Sequence, residues 1–427
     1  MTLYSSWFLK TSLIPWRIRN SIECWVENEC SRRLPAIHQF LHFSRFRSLL
    51  RPVTTGPNHH FFGYYEKSPW SGDGRYMLTH EASFNDRPPS AQDSVAIGII
   101  DTFNKNRLEL IAESSAWNWQ QGAMLQWYPS DSNNLLLYNA RRKGQFVGVL
   151  CDIKAAVQQE YSKPIYALSP DGRWGLSLNF SRLHQYRPGY GYAGISDPFQ
   201  AENHPSEDGI FLVNMQTNDT SIQVSLDTLA HFKPRPEFSS TPHWVNHIQI
   251  SPGGERFAFF HIWSTVDGGW SVRLFTCDLD GSNLTLVLDT DDISHYDWMD
   301  ETTLLVWARK PDAEARFLLC DVVTGNFKVW GEGVLTEDGH CSFSPDREWI
   351  LNDTYPDRFD MRTLMFYHPK TGRRIDLERL YSPKDRWWGE IRCDLHPRWS
   401  RDGKQVCIDS VHSGQRQIYI ADVGEFI

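Results

Sequence analysis

The chain has 427 residues, 41% of them hydrophobic and 22% charged, which suits a folded protein with a large core. With 43 basic against 52 acidic residues and a formal charge of −9, it is not expected to bind nucleic acid, and a polyanionic ligand would need a locally basic cleft. No run of about 18 apolar residues occurs, which excludes a transmembrane helix.

Residues 1–50 mix Trp7, Phe8, Leu13, Ile14, Trp16, Ile18, Ile22, Trp25 and Val26 with Arg17, Arg19, Arg32 and Arg33, a partly amphipathic helical pattern. Two roles are open for it: a helical cap on the main domain, or a weak contact with a membrane surface. Met1 to Ile14 lacks the basic start, long apolar run and small-residue cleavage site of a secretory signal, so the expected compartment is the cytoplasm. The eight cysteines form no CxxC pair, and Cys151, Cys277, Cys320 and Cys407 lie in apolar runs, as buried reduced thiols do.

From His59 to Glu81 the chain reads as strand, Pro/Gly/Asp turn and strand, with His60 and His80 near the outer ends. A hairpin folded at 69–74 would return those ends toward each other, so the two imidazoles are expected to be neighbours. The same turn chemistry recurs around Pro69, Pro129, Pro170, Pro252, Asp300, Pro345 and Asp402, each time before an apolar run. A second strand-like run follows every copy: Val95–Asp101, Val147–Asp152, Gly209–Met215, Val272–Asp278, Arg316–Asp321, Thr363–His368 and Gln417–Asp422. Seven such units predict an all-β fold, a seven-bladed β-propeller over 55–427 with a short N-terminal helical extension over 1–50. The longest interval, between Pro170 and Pro252, holds Tyr186, Arg187 and Tyr190 and is read as a substrate lip.

Residues at one offset before equivalent turns should share one height on the inner strands. Four or five places before the turn stand Tyr166, His247, His295, His340 and His396. Imidazoles converging from neighbouring blades could hold a divalent metal, Zn or Mn, with Asp297, Cys341, Cys393 and Asp394 as further donors; capping of each strand by its own histidine is the plainer role. A second row, His80, Arg141, Arg182, His261, Arg309, Asp353 and His412, falls where the following strand ends and would make a polar mouth.

A His pair, a Tyr and an Arg in one cleft suit removal of the C5 proton of a uronate, whose carboxylate charge must be neutralised as the enolate-like intermediate forms. Hydrolysis would call for two carboxylates, and Asp353 is the only one in these rows. No Gly-x-Ser-x-Gly elbow occurs, which excludes a propeller-linked serine hydrolase.

The segment from His59 to Pro69, a His twenty residues after His60, and Tyr166 and Arg182 sixteen apart resemble the seven-bladed polysaccharide lyases that act on ulvan. His396 to Ser400 is similar to the metal-binding region of oligogalacturonate lyases. The resemblance spans roughly residues 55–425 and implies His60 (or His59) and His80 in the active cleft, Tyr166 as base or acid, and Arg182 neutralising the uronate. It also implies a divalent metal near His295, His340 and His396. Tyr186, Arg187, Tyr190, His247 and His261, together with His59, are expected to bind substrate, an acidic polysaccharide or oligosaccharide. Ulvan lyases are secreted, and this chain shows no clear signal. The competing expectations are a non-catalytic propeller that binds an acidic glycan or a protein, and an intracellular protein of a capsule or exopolysaccharide pathway.

Overall fold

The computed structural model describes residues 49–154, 156–309 and 314–427; the extension expected over 1–50, and its expected membrane contact, lie outside them but for the last two residues. Residues 50–427 form one compact unit. Seven four-stranded antiparallel sheets make up the unit, six of them with their strands in chain order, as a seven-bladed propeller has. The third strand of each blade is one of the seven runs named above; Gln417–Asp422 coincides to the residue.

The seventh blade is closed from both ends of the unit. Arg398–Trp399, Gln405–Ser410 and Gln417–Asp422 come from the C-terminal end, and the outer strand is Arg51–Pro52. Pairing of Arg51 with Ile420 and Pro52 with Tyr419 thus begins the propeller upstream of residue 55. The exposed edge a last blade would otherwise present is covered by Arg51–Pro52.

The recurrent turn has a common internal structure. In the third blade Ser169 Oγ donates to Asp171 at 2.6 Å and accepts from the Trp174 N–H at 3.0 Å, with Gly172 at φ 71°. Ser71–Asp73, Ser344–Asp346 and Ser400–Asp402 repeat it at 2.6, 2.5 and 2.7 Å. The side chains close the turn upon themselves, so the sequence alone fixes where each inner strand reverses.

The first blade breaks this regularity, and the break builds the centre of the molecule. Its inner strand His59–Phe61 pairs Phe61 with His80, and pairing resumes only at Trp70 with Met77. Residues 62–69 therefore stand opposite 78–79 alone and bulge out of the ladder. Phe62 N–H and Gly63 N–H donate to the Asp409 carboxylate, and Arg398, ion-paired to Asp409 at 2.8 Å, donates to the carbonyls of Gly63 and Tyr64. At φ 131°, with the Gln121 carbonyl oxygen 2.9 Å from where a Cβ would sit, position 63 admits only glycine. The bulge carries Tyr64 against His247, His340 and His396, and Tyr65 against Tyr296 and His295. Side chains of blade one thus reach residues of blades four to seven, which places them on the propeller axis.

Candidate active site on the propeller axis

Three imidazoles of the expected row meet on the axis. Ring centroids of His295 and His340 are 4.1 Å apart, and those of His340 and His396 are 4.4 Å apart. Each ring is oriented through Nδ1. His340 Nδ1–H donates to Asp353 at 2.9 Å, His396 Nδ1–H to the Gly63 carbonyl at 2.8 Å, and His295 Nδ1–H to Asp338 at 3.0 Å. A carbonyl or carboxylate can only accept, so Nδ1 carries a proton on each ring and in the neutral tautomer Nε2 is the atom with the lone pair. The Nε2 atoms of His340 and His396 are buried and have no hydrogen-bond partner. Burial lowers the basicity of His295 and His396, and a neighbouring imidazole adds to it, so both rings are neutral near pH 7.

Asp394 completes a donor set. Potential ligand atoms of His340, Asp394 and His396 lie within 4.8 Å of one another, and all three residues are buried. Asp394 and His396 are two residues apart on the segment that leads into the inner strand Arg398–Trp399. Burial pushes the Asp394 carboxyl up, but Arg392 Nε and Arg362 Nη2, each 2.7 Å away, outweigh it and hold the group well below the usual range. Two imidazoles with unpartnered Nε2 atoms and engaged Nδ1 atoms, beside one ionised carboxylate, are what a divalent ion requires. The residues fit a metal. Of the expected ligands, His340 and His396 belong to this compact set with Asp394, and His295 stands beside it.

His396 and His247 adopt left-handed backbone, at φ 42° and 54°. In blade four the ladder shifts register between Asn246 and Gln249, which turns His247 toward the axis. Its Nε2 lies 2.5 Å from Tyr64 Oη. Burial and then His295 lower the His247 pKa, while burial raises that of Tyr64, so this is a neutral phenol against a neutral imidazole. Tyr190, from the long insertion, packs on both rings and accepts from Arg392 Nη2 at 2.8 Å. Tyr355 packs beside His295 and His340. His247, Tyr355, Arg392, Glu66 and Lys67 retain some solvent exposure.

No protein-family model matches this chain, and no curated protein matches it. Among solved structures, an oligogalacturonate lyase in complex with manganese superposes with TM-score 0.62 at 15% identity, covering 87% of this chain and 92% of its own. One from Vibrio parahaemolyticus gives 0.61 at 13%, covering 88% and 94%. This chain shares their fold. The tricorn protease gives 0.51 at 10% identity, covering 87% of this chain but 35% of its own. At such identities the likeness establishes the propeller; the ulvan-lyase resemblance rests on the sequence motif.

The other predicted residues are placed as follows. Tyr166 is on the axis, its hydroxyl accepting from Gln121 at 2.6 Å and donating to Asn246 at 3.3 Å, with Lys67 over its ring. His60 and His80 are not a facing pair. The register sets His60 opposite Glu81 and Phe61 opposite His80, so strand alternation sends the imidazoles to opposite faces. His60 is held by Glu81 at 2.9 Å and Gln417 at 3.0 Å. His80 stacks on Phe61, accepts from the Ala123 N–H at 3.0 Å and has its pKa pushed down to about 4, chiefly by burial. His59 accepts from Asn85 at 2.9 Å, away from the axis.

Arg182 cannot neutralise a uronate in this arrangement. It sits in helix α1 (Phe180–Tyr186), within the insertion, with its side chain 1% exposed. Its guanidinium binds Asp197 at 2.9 Å and the carbonyls of His243, Phe199, Glu202 and Asn203. Every donor direction is taken. His261 is likewise remote, paired with His243 at 2.7 Å and with Arg273 at 3.1 Å. Tyr186 stacks on Trp244, outside the axial group, whereas Arg187 bridges outward, its guanidinium lying over both Trp270 and the axial Tyr190.

Sequence reasoning missed Tyr64, Tyr355 and Arg392 as site residues. Tyr64 stands five places before Pro69, the same offset that found the histidines, so the row could have been extended to it. Arg392 could have been flagged by its place two residues before Asp394, to which it is ion-paired at 2.7 Å.

Proposed function

We propose that this protein is a lyase that cleaves a uronate-containing oligosaccharide or polysaccharide by β-elimination on the propeller axis. The observation that carries the reading is the group of axial imidazoles whose Nδ1 atoms are all engaged and whose Nε2 lone pairs are free, beside the Tyr64–His247 contact. The manganese-bound oligogalacturonate lyase among the structural neighbours supports it.

His340, Asp394 and His396 would hold a divalent ion, Zn²⁺ or Mn²⁺. Such an ion supplies positive charge that offsets the uronate carboxylate and makes the neighbouring C–H bond more acidic. Asp394 is paired with both Arg362 and Arg392, Asp353 with His340 and Asp338 with His295, so each carboxylate around the site has its partner and a bound ion would add positive charge that favours an anionic sugar. Tyr64 and His247 act together as base: the Tyr64 oxygen receives the C5 proton as its own passes to His247 Nε2. The C5–H electron pair becomes the C4–C5 double bond, and the C4–O bond breaks. Tyr190, whose phenol is polarised by Arg392, gives the departing oxygen its proton. Lys67 and Tyr355 flank the entrance, where they contact the sugar.

Incubation of the purified protein with pectate, oligogalacturonate, ulvan, alginate and heparan, followed by ultraviolet absorbance, reads out the conjugated double bond. A rise on one polymer that requires a divalent ion supports the reading. A folded, metal-loaded protein silent on the whole panel overturns it in favour of a glycan-binding propeller.

A further inference from the structure

A second group of metal-ligating side chains lies on the insertion, apart from the axis. It brings together His204, Asp227 and His231. Asp227 and His231 are four residues apart on helix α2 (Leu226–His231), so they project from one face a turn apart. His204 approaches from the strap Asp197–Asp208. His204 Nδ1 is 3.0 Å from Asp227 Oδ1, and His231 Nδ1 is 3.2 Å from the same oxygen.

We propose that His204, Asp227 and His231 form a second divalent-metal site that takes Zn²⁺ and fastens the strap to helix α2. Two imidazoles and one carboxylate are a common zinc donor set, which leaves a position for water. An i, i+4 pair on a helix joined by a third ligand from elsewhere in the chain is a geometry that zinc sites use. The third ligand is preorganised. Pro205 follows His204 and restricts its backbone to extended conformations. The His204 ring is also held edge-on between His231 and the buried His243, at centroid distances of 5.6 and 5.7 Å. His243 is itself fixed by His261 and by the Phe238 carbonyl. Access is open, since the His231 side chain is 70% exposed.

The strap is tied at its other end by Arg182, through Asp197, Phe199, Glu202 and Asn203. Position 204 is the first residue past that anchor, so a zinc ion there continues the fastening to α2. His231 Nδ1 also lies 2.9 Å from the Asp227 backbone carbonyl, so both imidazoles are gathered at Asp227 before any ion binds.

The test is zinc content of the full-length protein after equilibration with ZnCl₂ and removal of free ion, in wild type, His231→Ala and His204→Ala. His231 is exposed, so its removal leaves the fold intact. The expected result is one zinc fewer per chain in either variant, with a smaller zinc-dependent rise in Tm. Equal zinc content in wild type and His231→Ala overturns the proposal. His340→Ala measured alongside reports the axial ion separately, so either site can fail without the other.

Discussion

Two buried histidine clusters lie in this propeller, and they differ in what their nitrogens do. In the outer cluster the proton positions follow from the acceptors. His243 Nε2–H must donate to the Phe238 carbonyl, so its Nδ1 accepts from His261 Nε2–H, and His261 Nδ1 accepts from Arg273. Each ring nitrogen is satisfied, and Arg273 continues to the carbonyls at the end of α2, those of Leu229, Phe232 and Lys233. In the axial cluster the orienting bonds are equally good, yet Nε2 of His340 and of His396 are left bare in a buried place. A bare buried nitrogen is costly unless a ligand meets it. The outer cluster therefore holds the insertion in place, and the axial one is built to receive something.

The contrast can be broken most severely at Arg182. Arg182→Ala leaves Asp197 buried and unpaired and frees four carbonyls, and should destabilise the fold by about 3–5 kcal/mol, read as a lower midpoint in denaturant. If Arg182 instead served catalysis, activity would vanish with the midpoint unchanged.

At the axis the effect should fall on function. Tyr64→Phe removes one hydroxyl and should lower kcat by about 10²–10⁴ while the thermal midpoint stays close to wild type. Near-full turnover would remove Tyr64 from the mechanism. His340→Ala should abolish axial metal binding and activity together, since it deletes an unpaired buried nitrogen and a ligand at once. Metal analysis by mass spectrometry checks it, and unchanged axial stoichiometry would discard the donor set.

A smaller effect distinguishes His80. Its pKa is near 4 in the fold against about 6.5 unfolded, so the unfolded chain binds more protons between those values. The stability it contributes is complete above pH 6.5 and is lost as pH falls toward 4. His80→Gln should flatten the dependence of Tm on pH in that window; an unchanged slope would show that His80 does not titrate with unfolding. The least effect is expected at His261→Gln, about 1–3 kcal/mol from the lost pair with His243, with kcat unchanged.

The sequence by itself determined the blades. Four of the seven turns close on their own Ser and Asp side chains, and the number and spacing of all seven marked the hairpins and the third strands, while the offset before them found His295, His340 and His396. Local chemistry sufficed because each turn is complete within a few residues. Strand register and the path of the bulge were decided only by the tertiary structure. A shift of one position turns a side chain to the other face, which is why His60 and His80 part company and why Arg182, in a helix rather than at a strand end, is absorbed by five acceptors. Tyr64 reaches the axis because Asp409 and Arg398, more than three hundred residues away, fasten the bulge that carries it. No local pattern records a contact of that separation.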